Sequence, residues 1–460
     1  MIESDPEEVT SPPEPPVPPL SQRLRRALVP LLLIVVTGIS GFQLFELIDH
    51  TAVNVLFSDQ WEYMEAFFSH SPSWTELFFH QHGPHREGVG LVVDKYLYAW
   101  TSWNTRAESF LIFGCVFAAM LLAILLKKKL FGSLSYTDVA IPMMFLTMSQ
   151  FATFVETPNA AYSGFPLLLI MLYCLALLRP RYQIRYALIL VLNFLVTYTG
   201  FGIFMGLVTV GLFALECFWR ARGVSDIPLR ASLGALVLAI ATLASFFIHY
   251  RFNPAVDCFV FPYYDLTAYP KFVSVMVARY LTLPGPAPVI WAVCTASLLA
   301  GAAILVALAV RLVRRERFEP ADLVVGVLLT YTVMFCANTA IGRVCLGLPA
   351  ALASRYSTLL IPGVLGVYLY LQSIRLAAVR NIGLFVLIVL LIPGCLVVQL
   401  EPQALARSKR AWVSCYLLTD DIEQCDRTTG RWVYPRKEEV HLKEKLNYLK
   451  EHHLNLFADY

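Results

Sequence analysis

The acid of SDQWEY, the histidine-rich run HQHGPHRE and the two arginines of IGRVCLGLPAALASRY carry most of the chemistry this sequence offers. Asp59 is a carboxylate that can take the proton of an attacking hydroxyl, a group whose own pKa lies far above neutral. As a plain loop acid it would cap a helix instead. Glu62 and Tyr63 follow about one helical turn later, close enough to act with it. Arg343 and Arg355 can grip a phosphate bidentately, each charge-assisted bond being worth about 1.5–3 kcal/mol, and Tyr356 can add a hydrogen bond. The same arginines can equally snorkel to ordinary anionic lipid. His82, His85 and Arg86 can bind phosphate or sugar, with Glu87 pairing with Arg86. His80, His82 and His85 also offer three imidazoles to zinc, but Gly83-Pro84 breaks any helix there and fixes no ligand geometry. Glu156, in SQFATFVETPNAAYSGF, can hold an acceptor hydroxyl, serve as a second acid, or sit at the interface paired with Arg86 or Arg343. Tyr263, Tyr264 and Tyr269 suit sugar stacking and an interfacial aromatic belt equally. No Walker loop, Rossmann glycine pattern or nucleophile elbow is present, which argues against an ATPase, a soluble-type nucleotide-sugar enzyme and a serine hydrolase.

The elements that must position these groups are membrane spans. The 460 residues are 57% hydrophobic and 15% charged, with a mean hydropathy of +0.61. A soluble domain does not need so much apolar residue, whereas each spanning helix takes about 20 such residues. The net charge of +3 gives no reason for a nucleic-acid partner. Apolar runs fall at about 27–47, 108–126, 136–155, 161–178, 186–199, 201–219, 231–250, 287–311, 320–338, 356–373 and 381–399, predicting an all-α polytopic protein of about eleven transmembrane helices. Residues 1–22 are acidic and Pro-rich and read as a disordered tail.

Basic clusters recur at every second boundary: Arg23–Arg26, Lys127–Lys129, Arg179–Arg185, Arg220–Arg230, Arg311–Arg317 and Arg375–Arg380. The positive-inside rule makes that side cytoplasmic. The N-terminus is then inside, and the tail 401–460 is extracytoplasmic. The alternation requires 186–219 to be a hairpin of short helices or a re-entrant pair. The outer side holds a first loop at 48–107, a second at 251–286, a segment near 339–356 and the tail. Within the first loop, Ser58 is positioned to cap a helix from Asp59 to about Ser69, whose Trp61, Tyr63, Phe67 and Phe68 form a greasy side suited to the membrane interface. A second helix is expected at 72–80 and a third at about 87–101, with Val89, Val92, Val93, Tyr96 and Leu97 on an apolar side. Cys415 and Cys425 can pair if the compartment is oxidising.

A long first outer loop with an acid just past span one resembles the C-type membrane glycosyltransferase fold (GT-C) of protein O-mannosyltransferases, aminoarabinose transferases and oligosaccharyltransferases. SDQWEY, His85-Arg86 and IGRVCLGLPAALASRY are similar to segments of bacterial GT-C-like proteins. The likeness covers most of 27–400 as a pattern and a small part of the chain as motifs; the tail has no counterpart. It implies that Asp59 acts as base or metal ligand, but the DxD of the metal-dependent branch is missing beside Asp59. The expectation is therefore no cofactor, with a divalent metal left open.

These readings converge on an inverting glycosyltransferase of the bacterial cytoplasmic (inner) membrane. It would move a sugar from a polyprenyl-phosphate donor to a glycan, lipid or protein acceptor. Asp59 would be the base, Arg343 and Arg355 would hold the leaving phosphate, and Glu62, His82, His85, Arg86, Glu156 and Tyr356 would order donor and acceptor. The alternatives are a transporter or flippase, or a non-catalytic assembly protein, for lipid-linked saccharides. The enzyme reading requires Asp59, Glu156 and Arg355 to surround one outward-opening cavity.

Overall fold

The computed structural model describes residues 20–69, 72–254, 256–283, 287–314, 318–396 and 400–458. Most of the Pro-rich segment expected to be disordered lies outside them. The described chain is all-α apart from one two-stranded hairpin. Among the described residues, eight helices are long and apolar enough to cross a membrane. The protein is an all-α, polytopic membrane protein.

The first span is α1 (Leu20–Thr51). The first loop follows, with α2 (Gln60–Tyr63), α3 (Glu65–Ser69), α4 (Trp74–Phe79), strands β1 (Gln81–His82) and β2 (His85–Arg86), and α5 (Gly88–Trp100). The chain re-enters as α6 (Thr105–Phe131), started by the Asn104 side chain accepting from the Arg106 amide and stopped at Gly132, whose φ is 80°.

The next apolar run, 136–155, is interrupted. It contains α7 (Ala140–Phe145) and α8 (Phe151–Val155), separated by a break at Leu146–Gln150. An interrupted backbone at membrane depth survives only where protein covers it. This span is largely buried, and side chains serve the freed groups. Gln150 donates to the Phe145 carbonyl at 2.6 Å and accepts from Thr358, and Thr147 donates to the Gly394 carbonyl at 3.0 Å.

Then come α9 (Gly164–Leu177), α10 (Tyr182–Thr197), α11 (Ile203–Ala221) and α12 (Leu229–Phe246). The expected hairpin over 186–219 is α10, a turn at 198–202, and α11. A Cβ on Gly202 would come within 1.4 Å of the Val196 carbonyl oxygen, and one on Gly200 within 2.6 Å of the Tyr162 ring, so this turn needs both glycines.

The loop expected at 251–286 contains a helix that the sequence reading missed, α13 (Ala268–Leu281). It buries Phe272, Met276 and Tyr280 on one stripe, and the Tyr280 hydroxyl donates to the Met144 carbonyl inside the broken span. The remaining helices of the bundle are α14 (Ala287–Val313), α15 (Pro320–Arg343), α16 (Ser357–Ser373) and α17 (Ala377–Leu396). The segment between α15 and α16 is a series of 3₁₀ turns. It is tied to the second loop by a Cys258–Cys345 disulfide.

The tail comprises α18 (Leu400–Thr419), α19 (Ile422–Thr429) and α20 (Leu442–Glu451), with the Cys415–Cys425 disulfide joining the first two. It shares one hydrophobic core with the first loop: Leu56, Trp61, Met64 and Trp103 pack with Trp412, Tyr416, Leu446 and Phe457. The greasy side of α2–α3 therefore does not lie on lipid as expected. Trp61 is fully buried, and Phe68 meets Trp103 and Tyr448. The tail supplies the apolar surface that the interface was expected to supply. The side of α5 expected to be apolar is the less buried one; Leu91, Asp94 and Tyr98 face inward.

Candidate active site

Asp59 starts α2 directly after Ser58, whose φ of 52° turns the chain sharply. The expected Ser58 cap does not form. The Ser58 amide donates to the Val433 carbonyl of the tail at 2.9 Å, so the tail fixes this turn. Gln60 braces it from below, accepting from the Phe57 amide at 3.0 Å and donating to the Pro158 carbonyl at 2.8 Å. The Asp59 carboxylate is left half-exposed, and Arg355 Nη1 lies 3.5 Å from its Oδ2.

Asp59, His82, His85, Arg343, Arg355 and Tyr356 line one cavity, together with Thr153, Asn159, Tyr162, Phe201 and Phe335. Its enclosed space is about 80 Å³, room for a few waters and too small for a hexose. Arg343 ends α15 and Tyr356 precedes α16, so one interhelical segment delivers both arginines and the tyrosine. Arg343 makes no hydrogen bond or ion pair with the described residues.

The Gly83-Pro84 turn is the tip of the β1–β2 hairpin, which pairs His82 with His85 across the ladder. His82 is clasped between two carboxylates, Glu87 Oε1 at 2.9 Å from Nδ1 and Glu62 Oε2 at 3.4 Å from Nε2. Burial alone would lower the His82 pKa, but hydrogen bonds to Glu62 and Glu87 outweigh it and raise it to about 10. The His82 hydrogen bond in turn lowers Glu62 to about 2, against a smaller upward effect of burial. His82 is thus an imidazolium across the neutral range. His85 goes the other way: burial pushes its pKa down to about 4. Neutral His85 donates through Nδ1 to the Gly200 carbonyl at 2.8 Å, leaving Nε2 as an acceptor.

Three expectations need correction. Arg86 does not line the cavity. It is buried and spends its nitrogens on the carbonyls of Phe79, Phe246 and Ile248, clamping the first loop to the end of α12. Glu87 does not pair with Arg86; fully buried, it pairs with His82 and accepts from Asn159 Nδ2 at 2.7 Å. Glu87 falls just past β2, at the start of α5, and reaches back to His82 while Arg86 reaches α12, which the run HRE does not reveal. Glu156 lies outside the cavity lining and makes no ion pair with Arg86 or Arg343; its charge acts on Arg355 and Lys409. Of the three residues the enzyme reading required, Asp59 and Arg355 therefore share the cavity and Glu156 does not.

Sequence reasoning gave Glu87 the wrong partner and missed Asn159, Tyr162 and Lys409. The Lys409 ammonium, buried on α18, donates to the carbonyls of Val155 and Glu156 at 3.0 and 2.6 Å and lies over the Phe57 ring, 4.6 Å from its centroid. Among the described residues, no group of three His, Cys, Asp or Glu side chains is arranged to hold a metal ion. The histidines do not converge, because His82 is bound to carboxylates and His85 to a carbonyl.

The cavity thus presents one half-exposed carboxylate among three cationic groups, with hydroxyl and amide groups on its wall. Such an arrangement can accept a proton at one point and stabilise an anion beside it. Comparisons with family models, curated proteins and solved structures find no match to this chain.

Proposed function

We propose that the chain is an inverting glycosyltransferase that takes a sugar from a polyprenyl-phosphate donor at this cavity. The observation that carries the reading is the Asp59–Arg355 pair in a cavity that also holds Arg343 and the His82 imidazolium. An acceptor hydroxyl would attack the anomeric carbon, and its proton would pass to Asp59. The bond from that carbon to the phosphate oxygen would break, and the polyprenyl phosphate would leave with the electron pair. Arg343, Arg355 and His82 would stabilise that charge. His85 Nε2 would accept a hydrogen bond from a sugar hydroxyl. Because the enclosed space is too small for a hexose, substrate entry would displace Arg355 from Asp59.

We assign the loop end of the bundle to the extracytoplasmic side of a bacterial inner membrane. Four cysteines, in the second loop, the 3₁₀ segment and the tail, form the two disulfides, while the other six, all in helices of the bundle, are free. The acceptor is a glycan, a lipid or a protein of the envelope.

The test is mass spectrometry of lipid-linked glycans and surface polysaccharide in a deletion strain, complemented by wild type or by Asp59→Asn. Wild type should restore the missing glycoform and Asp59→Asn should not, at equal membrane abundance. Full restoration by Asp59→Asn would remove the base assignment. One observation favours a second reading, a carrier for lipid-linked saccharides: transporters commonly use interrupted helices like the buried span 136–155. Movement of a lipid-linked saccharide across proteoliposomes without any transfer product would select it.

A further inference from the structure

A second cavity, of about 630 Å³, lies where α1, α17 and α18 meet, and it shares no lining residue with the candidate active site. Its apolar side includes Phe42 and Leu396, which are 64% and 66% exposed on spanning helices and therefore face acyl chains. Its other side carries Arg407 and Arg410, exposed and one turn apart on α18. Arg410 donates to the His50 carbonyl at the end of α1. Arg407 makes no hydrogen bond or ion pair with the described residues. The one acid in the lining, Glu46, is already occupied by His50 Nε2 at 3.0 Å.

We infer that this groove binds one anionic membrane phospholipid, its phosphate on Arg407 and Arg410 and its chains along Phe42 and Leu396. The charge argument selects the class. The two guanidiniums face a single carboxylate that already has a partner, so the groove keeps a positive charge that a zwitterionic headgroup would not neutralise. The position gives the lipid a task. It bridges the end of the first span to α18, the helix whose Lys409 holds the Val155 and Glu156 carbonyls near the active site.

The experiment uses the full chain in nanodiscs of phosphatidylcholine with and without phosphatidylglycerol, read by native mass spectrometry and thermal unfolding. Wild type should retain one phosphatidylglycerol and unfold at a higher temperature when that lipid is present. Arg407→Gln/Arg410→Gln should bind it about tenfold more weakly or worse, losing the stabilisation. In pure phosphatidylcholine that variant should unfold slightly below wild type, because it loses the Arg410–His50 hydrogen bond, and its Tm should not rise when phosphatidylglycerol is added. Arg407→Gln alone removes no contact within the protein and should show a partial loss, which keeps the test open if the double variant misfolds. Equal retention by the variants, equal retention of phosphatidylcholine by wild type, or the same stabilisation from inorganic phosphate would each overturn the inference.

Discussion

Arg355 reaches Asp59 across the mouth of the cavity, with Nη1 3.5 Å from Oδ2, and this contact joins the first loop to the segment between α15 and α16. Both side chains are partly exposed, so the pair adds little stability. Asp59→Asn should lower unfolding free energy by under about 1 kcal/mol. Activity should fall about 10²–10⁴-fold, the usual contribution of a positioned base. Thermal unfolding and a transfer assay on the same preparation separate the two effects. A large loss of stability with activity retained would make Asp59 structural.

His82 behaves differently because its partner Glu87 has no access to water. His82→Leu leaves that carboxylate buried without its cation and should cost about 3–5 kcal/mol. Adding Glu87→Leu should recover part of the loss. Denaturation of wild type, both single variants and the double variant in one detergent checks this, and additive losses would contradict the coupling.

His85 makes acid sensitivity testable. Its pKa is lowered in the fold from 6.5 to about 4. Between those values the unfolded chain takes up a proton that the fold refuses, so this group's contribution is present above pH 6.5 and is lost as pH falls toward 4. The whole window is worth at most about 3 kcal/mol. Buried Asp94, raised to about 7, contributes in the opposite sense over much of that window. The difference between wild type and His85→Asn therefore isolates His85. The variant should lose less stability from pH 7 to pH 4, and parallel curves would contradict the assignment.

Lys409 ties the tail to the membrane domain. Lys409→Met removes the donor for the Val155 and Glu156 carbonyls and should cost about 1–3 kcal/mol. Limited proteolysis should then release the tail sooner. Unchanged protection would show that the shared apolar core suffices alone.

Much of the fold was legible because apolar runs and basic clusters report on the bilayer directly. Each of the eleven apolar runs read from the sequence falls on helical segments, and the 186–219 hairpin forms where the alternation required it. Helix α13 was hidden because its aromatic and Pro-rich flank reads as loop. The Cys258–Cys345 bridge was not legible because pairing across 87 residues leaves no local pattern. The site was half legible. Asp59, Arg343, Arg355 and Tyr356 announce themselves as polar groups at a membrane boundary, where such groups are costly without a use. Arg86 and Glu87 were misjudged because their partners are distant in sequence, the Phe246 and Ile248 carbonyls for Arg86 and Asn159 for Glu87. The support from the tail was invisible because it rests on contacts such as Asn455 with Asn54, 401 residues apart.

The most direct test of the central claim is binding of polyprenyl phosphate itself to the purified full chain, comparing wild type with Arg343→Gln/Arg355→Gln. If the cavity holds the leaving phosphate, the double variant should bind at least about tenfold more weakly while unfolding at a similar temperature. Equal affinity in the two proteins would contradict the account.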